Sequence, residues 1–126
     1  MPHRQKEAIL NIPDFFERVP PDDFARMRQS ARYTDVVPVE RIIGSMNRSG
    51  DYGKDWKPLK PDPQWDSIFK AAKEGKDIGE MSREMPIVLY KYRSGYWVGD
   101  DGNRRVSVAK VLGVRSLRAQ VIDIYG

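Results

Sequence analysis

Trp97-Val98-Gly99-Asp100-Asp101-Gly102-Asn103-Arg104-Arg105-Val106-Ser107-Val108-Ala109-Lys110-Val111-Leu112-Gly113 passes from an aromatic, β-branched segment into a helical pattern through a turn holding glycine and two adjacent arginines. Tyr96, Trp97 and Val98 read as the end of a strand. Val106, Val108, Ala109, Val111 and Leu112 then recur at helical spacing, and Gly113 suits a C-terminal cap. Asp101 or Asn103 is a good N-cap residue, and Gly102 lets the backbone approach whatever sits above the helix end. The first turn of such a helix carries unpaired N–H groups and a partial positive charge, to which Arg104 and Arg105 add two full ones. The turn is suited to meet an anion. The residue types leave a second use open, in which Asp101 and Asn103 cap the helix and the arginines lie in solvent or pair with Asp100 and Asp101. Arginine in a first turn opposes the helix dipole, so two of them there call for a benefit beyond structure.

The chain of 126 residues is one domain by ordinary priors, long enough to bury roughly two-thirds of its unfolded surface. No run approaches the roughly 18 apolar residues of a membrane span, and the N-terminus has no apolar signal core. The expectation is a soluble, cytoplasmic protein without a membrane partner. There is no cysteine, which excludes disulfides, thiolate nucleophiles and Cys-ligated zinc, and the single His3 leaves no histidine cluster. Chemistry must therefore come from carboxylates, hydroxyls, Lys, Arg or a bound metal. The net charge of +4 is modestly basic, with the two signs interspersed. Such a balance permits nucleotide or nucleic-acid binding without demanding it.

Outward from the turn, residues 1 to about 12 read as a polar tail or frayed helix. Pro13 to Arg32 reads as partly helical: Asp14 caps a segment with Phe15, Phe16 and Val19 apolar, and Pro20-Pro21-Asp22-Asp23 breaks it and starts a second helix through Phe24 and Met27. These aromatics are expected in the core. Thr34 to Val39 alternates as a strand, and Val39 to Ile43 opens a short helix or turn. Gly44-Ser45-Met46-Asn47-Arg48-Ser49-Gly50-Asp51-Tyr52-Gly53 has glycine at three positions with Ser, Asn and Asp between them, and reads as a loop. Its N–H groups, its hydroxyls and Arg48 make it either a second anion clamp or a plain surface loop. Lys57 to Pro63 is a proline-rich connector. Gln64 to Glu74 is an amphipathic helix with Trp65, Ile68, Phe69 and Ala72 on one face. Pro86 to Tyr92 is a strand that Arg93-Ser94-Gly95 turns into a hairpin with Tyr96-Trp97-Val98, and Leu117 to Ile124 is a further alternating strand. Trp56, Trp65 and Trp97 are expected to be buried or half-buried rather than stacked on a base. The order predicts a small α+β (mixed α/β) domain, a central mixed sheet flanked by helices, with residues 1–33 as a helical extension packed on residues 34–126. GxxxxGK[ST] and GxGxxG are both absent, which sets aside the Walker and Rossmann classes.

Pro38-Val39-Glu40-Arg41-Ile42, the loop ending in Arg48, the strand Pro86-Ile87-Val88-Leu89-Tyr90, and the run Val98 to Gly113 together resemble the ParB/sulfiredoxin-like superfamily, in particular the N-terminal domain of ParB-type partition proteins. The likeness covers roughly residues 34 to 124. It implies that the turn and helix start bind nucleotide phosphates: ParB relatives bind and slowly hydrolyse CTP with magnesium, sulfiredoxins use ATP, and an archaeal branch looks like an ADP-dependent free-serine kinase. By position, Gly102, Asn103, Arg104 and Arg105 would cradle phosphates with Ser107 near them. Arg48, in the loop that begins Gly44-Ser45, matches the arginine that ParB relatives place before their first helix.

The chain also departs from the superfamily. Asn103 stands where sulfiredoxin chemistry needs a cysteine, so sulfinic acid reduction is excluded. Arg104 replaces a histidine found in many relatives, which favours binding over proton transfer there. ParB proteins continue into a helix-turn-helix and a dimerisation region, whereas this sequence runs to Gly126, so centromere-type DNA reading is not expected of it alone. Three function classes remain. The first is a nucleotide-binding switch or regulator, taking CTP or ATP with Mg2+, with a partner protein or a homodimer as its context. The second is a phosphotransferase or NTP hydrolase of the free-serine-kinase-like branch, for which Glu40, Asp51 and Asp101 are the candidate carboxylates, Glu40 and Asp101 foremost. The third is a DNA-binding or nuclease domain, for which only Asp100-Asp101 is a local carboxylate pair. Arg105→Ala is expected to weaken anion binding with the fold intact.

Overall fold

The computed structural model describes residues 10–81 and 85–126, so the expected tail and His3 lie outside the described residues. Two short helices, α1 (Phe15–Arg18) and α2 (Pro21–Arg26), precede strands β1 (Arg28–Gln29), β2 (Tyr33–Pro38) and β3 (Ile42–Ser45). Helix α3 (Pro63–Lys73), the hairpin β4 (Val88–Tyr92) and β5 (Gly95–Val98), helix α4 (Asn103–Leu112) and strand β6 (Ser116–Tyr125) follow. The fold is the mixed α/β class that the element order predicts. Asp14 caps α1 by accepting from the Phe16 N–H, and Asp62 caps α3 by accepting from the Trp65 N–H with Pro63 in the first turn. Gly113 closes α4 in the left-handed conformation at φ 71°.

The six strands form one mixed sheet in the order β1-β6-β4-β5-β3, with β2 also on β6. Strand β6 is parallel to β4 and antiparallel to both β1 and β2, which share its outer edge. Strands β4 and β5 are an antiparallel hairpin, and β3 lies parallel to β5. Strict alternation along β6 sends Leu117, Ala119 and Val121 to one face and Ile122 and Ile124 to the other. The first face packs under α3 and α4 with Leu89, Tyr96 and Val98. On the second face Phe15, Val19 and Met46 pack with Trp97 and Ile124.

Phe15 to Met27 therefore supply the layer on the second face of the sheet. Phe15 is fully buried, with edge-to-face contacts to Phe16, Phe24, Tyr92 and Trp97 at centroid distances of 5.2, 5.6, 5.7 and 5.4 Å. The same segment lines the free edge of β3 through the Asp14–Ser45 bridge and the bond from the Ser45 N–H to the Pro13 carbonyl.

Two local expectations are corrected. Gly44 and Ser45 do not begin a loop: they complete β3, paired with Trp97 and Val98, and both are buried. Glycine is required at 44 because a Cβ would collide with the Pro13 carbonyl and the Trp97 ring. Arg28 and Gln29, inside the stretch read as partly helical, form β1 against Tyr125 and Ile124. A two-residue strand is too short to show alternation in sequence.

Candidate functional site

At the N-terminal end of α4 lies a cavity of about 400 Å³. One wall is Asp100 to Arg105, another is Arg48, Asp51 and Tyr52, and a third is Asp62, Gln64, Ser67 and Ile68 from the start of α3. Met81 and Met85 complete it. The helix begins at Gly102, with φ 108° and no side-chain cap bond. A Cβ at 102 would come within 3.0 Å of Ile87, so glycine is fixed by both backbone and packing. The expected cap is thus corrected. Asp101 does not cap the turn, its carbonyl taking the Val88 N–H instead, and Asn103 turns its amide inward.

That amide anchors the neighbouring loop. Asn103 Oδ1 accepts from Ser45 Oγ at 2.7 Å, and Asn103 Nδ2 donates to the Gly99 carbonyl at 2.9 Å and to Asn47 Oδ1 at 3.3 Å. Ser45 Oγ in turn accepts the backbone N–H groups of Arg48 at 3.0 Å and Asn47 at 3.3 Å, and Asn47 Nδ2 reaches Asp100 Oδ1 at 2.7 Å. The two segments singled out in the sequence are therefore joined through a buried serine and asparagine. Ser45 has no exposed surface and all its bonding capacity is engaged, so it positions the Arg48 loop.

The three arginines occupy different environments. Arg48 is largely exposed and makes a long ion pair with Asp51 at 3.4 Å. Arg104 Nε pairs with Asp62 Oδ2 at 2.9 Å. Partial burial pushes the Asp62 carboxyl upward, but the Arg104 bond and the Trp65 N–H outweigh it and hold the group below the usual carboxylate range. Arg105 is only 7% exposed. Its guanidinium donates to the carbonyls of Met81 at 2.9 Å and Met85 at 2.6 Å, and it has no carboxylate ion pair among the described residues. Burial lowers its pKa, with Asp101 acting in the opposite direction. The Tyr52 hydroxyl is pushed up to about 12, chiefly by burial.

Other sequence candidates lie away from the cavity. Ser107 is wholly buried, accepting from Trp65 Nε1 at 2.8 Å and donating to the Trp56 carbonyl, so it braces α3 and the 53–57 turn. Gly44 lies under Pro13 and Trp97. Glu40 sits beside Lys110, Gly113 and Arg115 at the other end of α4, about 15 Å away by the length of a ten-residue helix. All three tryptophans are buried. Arg105→Ala is no longer expected to spare the fold, because this side chain holds two carbonyls in the cavity wall. Asp62 was missed as a site residue, although the Asp62-Pro63 pair is a helix-start signal; Gln64, Ser67, Met81 and Met85 carried no sequence signal.

No family model matches the chain, and no curated protein matches it. Among solved structures it is similar to a ParB-N domain. That structure, a Pnob8-like ParB-N domain, matches with 16% identity and a TM-score of 0.47 over 76% of this chain. The match covers 31% of the solved chain, so this sequence spans well under half the length of that protein. Among the described residues no helix is long and apolar enough to cross a membrane.

Proposed function

We propose that the cavity binds the phosphates of a nucleoside di- or triphosphate, as a binding module of switch or regulator type. The observation that carries this reading is the uncapped start of α4. The N–H groups of Asn103, Arg104 and Arg105 have no partner within the helix, no side chain among the described residues caps them, and Arg48, Arg104 and Arg105 line the same cavity. A phosphate would satisfy those donors and neutralise arginines that the protein compensates only in part. The resemblance read in the sequence points to the same turn. Ile68, Met81 and Met85 give the adjoining wall an apolar surface, with Gln64 and Ser67 as polar groups for a base or sugar edge.

Among the described residues no three acidic or histidine side chains cluster as a protein cage for a metal. The cavity does hold Asp51, Asp62, Asp100 and Asp101, which fits magnesium held through one or two carboxylates and the phosphates themselves. Asp100 and Asp101 border the α4 turn and are the residues proposed to hold it; the ion would neutralise phosphate charge. Glu40 is too far from this cavity to orient an attacking group, which leaves Asp51 and Asp101 as the carboxylates for any turnover.

The test is calorimetric titration with the four nucleoside diphosphates and triphosphates in magnesium, on the native protein and on Arg104→Ala and Arg48→Ala. Both arginines are partly exposed, so these variants leave the core intact. Each is expected to lose about 1.5–3 kcal/mol, or roughly 10- to 150-fold in affinity. Absence of saturable nucleotide binding, or affinity unchanged in both variants, would refute the proposal. Binding to duplex DNA that falls steeply with salt would replace it with the nucleic-acid reading.

A further inference from the structure

The nucleotide cavity does not end at Arg104. On the other side of that side chain a second cavity, of about 350 Å³, opens between the Gly50–Tyr52 turn and the segment from Pro58 to Pro63. The two cavities share Asp51, Tyr52, Asp62 and Arg104. The Arg104–Asp62 ion pair is therefore a partition between two compartments, and it stands at the phosphate end of the first. Arg104 uses only its Nε in that pair, and among the described residues its two terminal nitrogens have no protein acceptor.

The second compartment has its own chemistry. Pro58, Leu59 and Pro61 give it an apolar, rigid surface of the kind that packs against a planar ring. Lys60 adds a cation that makes no ion pair among the described residues. Leu59 is 54% exposed, which is a large apolar side chain left open beside a cation. An apolar floor with one lysine suits a second ring system attached to an anion, and the two compartments are close in volume.

We infer that the two cavities form one divided site for a ligand made of two nucleoside units joined through phosphate, with the bridging phosphates on Arg104 and one nucleoside in each compartment. This inference rests on the nucleotide reading and extends it. Two sources share this chemistry, a free dinucleoside polyphosphate and the 5′-phosphorylated end of a single strand.

The experiment compares three probes of the base that binds best in the diphosphate titration: the nucleoside diphosphate, the dinucleoside tetraphosphate and the 5′-phosphorylated dinucleotide. Each is titrated against the native protein and against Lys60→Glu and Leu59→Glu, both at exposed positions. The two-nucleoside probe is expected to bind at least tenfold more tightly than the diphosphate, and the variants to abolish that excess while diphosphate affinity stays within twofold. Preference between the tetraphosphate and the dinucleotide assigns the source. Equal affinity for one-unit and two-unit probes, with the diphosphate still bound, overturns the divided site and leaves the nucleotide reading standing. Failure of every probe to bind overturns both.

Discussion

Ser45→Ala tests whether the two loops of the site are held together through the buried Ser45–Asn103 contact. The substitution removes one hydroxyl and with it three hydrogen bonds: to Asn103 Oδ1 at 2.7 Å, and from the Arg48 and Asn47 N–H groups at 3.0 and 3.3 Å. At about 1 kcal/mol each these amount to about 3 kcal/mol. Asn103 Oδ1 is left inside the protein without its donor, which adds to the loss, whereas the two backbone N–H groups are partly exposed and turn to water, which reduces it. The expected net cost is about 2–3 kcal/mol, which for a domain of this size lowers the melting temperature by on the order of 10 °C. Thermal unfolding followed by circular dichroism measures it. Asn103→Ala removes the same central bond from the other side, so the double variant should be less destabilised than the two single costs combined, by about 0.5–2 kcal/mol. A melting shift under about 3 °C, or strict additivity, would refute the view that this pair ties the Arg48 loop to α4. In well-folded conditions Ser45→Ala should also weaken nucleotide binding, although the hydroxyl is not placed to touch the ligand, because it fixes the backbone at Arg48.

Two further outcomes follow from the core and from the titration of Tyr52. Phe15→Ala should cost about 3–5 kcal/mol, as a fully buried phenyl ring in contact with four aromatic rings, and chemical denaturation would measure it; a loss below about 1 kcal/mol would mean that the Phe15 to Met27 layer is not part of the cooperative core. For Tyr52, burial raises the folded-state pKa from 10.0 to about 12, so its contribution to stability is fully present below pH 10 and is lost as pH rises through about 12. Denaturation of the native protein and of Tyr52→Phe across that window should show the native stability falling more steeply, and parallel curves would exclude a buried phenol at this position.

The sequence disclosed those parts of the fold that depend on periodicity. The β4–β5 hairpin, α3, α4 and β6 all appear because their apolar residues recur every two or every three to four positions over lengths sufficient to show it. The same rule failed at Gly44 and Ser45, where the second half of β3 consists of two residue types that signal a turn. What makes them strand residues is the carbonyl of Pro13 and the ring of Trp97 lying against them, contacts made across long sequence separations. The inward turn of Asn103 and Ser107 was hidden for a related reason. Helix α4 is buried on most of its circumference at Asn103 and from Arg105 to Ala109, so no clean polar face marks which side chains reach solvent.

This burial sorts the candidate residues by what they do. At many helix starts Ser, Asp or Asn at the cap position satisfies the first N–H groups, but here the φ of 108° and the contact with Ile87 admit only glycine, which costs a few tenths of a kcal/mol relative to such a cap. Here the cap is Gly102, and Asn103, the next residue and a good capping type, spends its amide on Gly99, Ser45 and Asn47. A capping-type side chain one position away thus holds the opposite wall of the same cavity. Arg105 shows the same division, its guanidinium engaged by the carbonyls of Met81 and Met85 while its backbone N–H stays in the uncapped turn. Ser45, Asn103 and Arg105 shape the cavity through their side chains, and on the proposed reading Arg48, Arg104 and the N–H groups of the first turn are the groups that would meet a ligand. The sequence reading sets Gly102 to Arg105 as a phosphate cradle and the Arg48 loop as a second clamp; in the structure the side chains of Ser45, Asn103 and Arg105 are buried in the wall, and those of Arg48 and Arg104 are partly exposed.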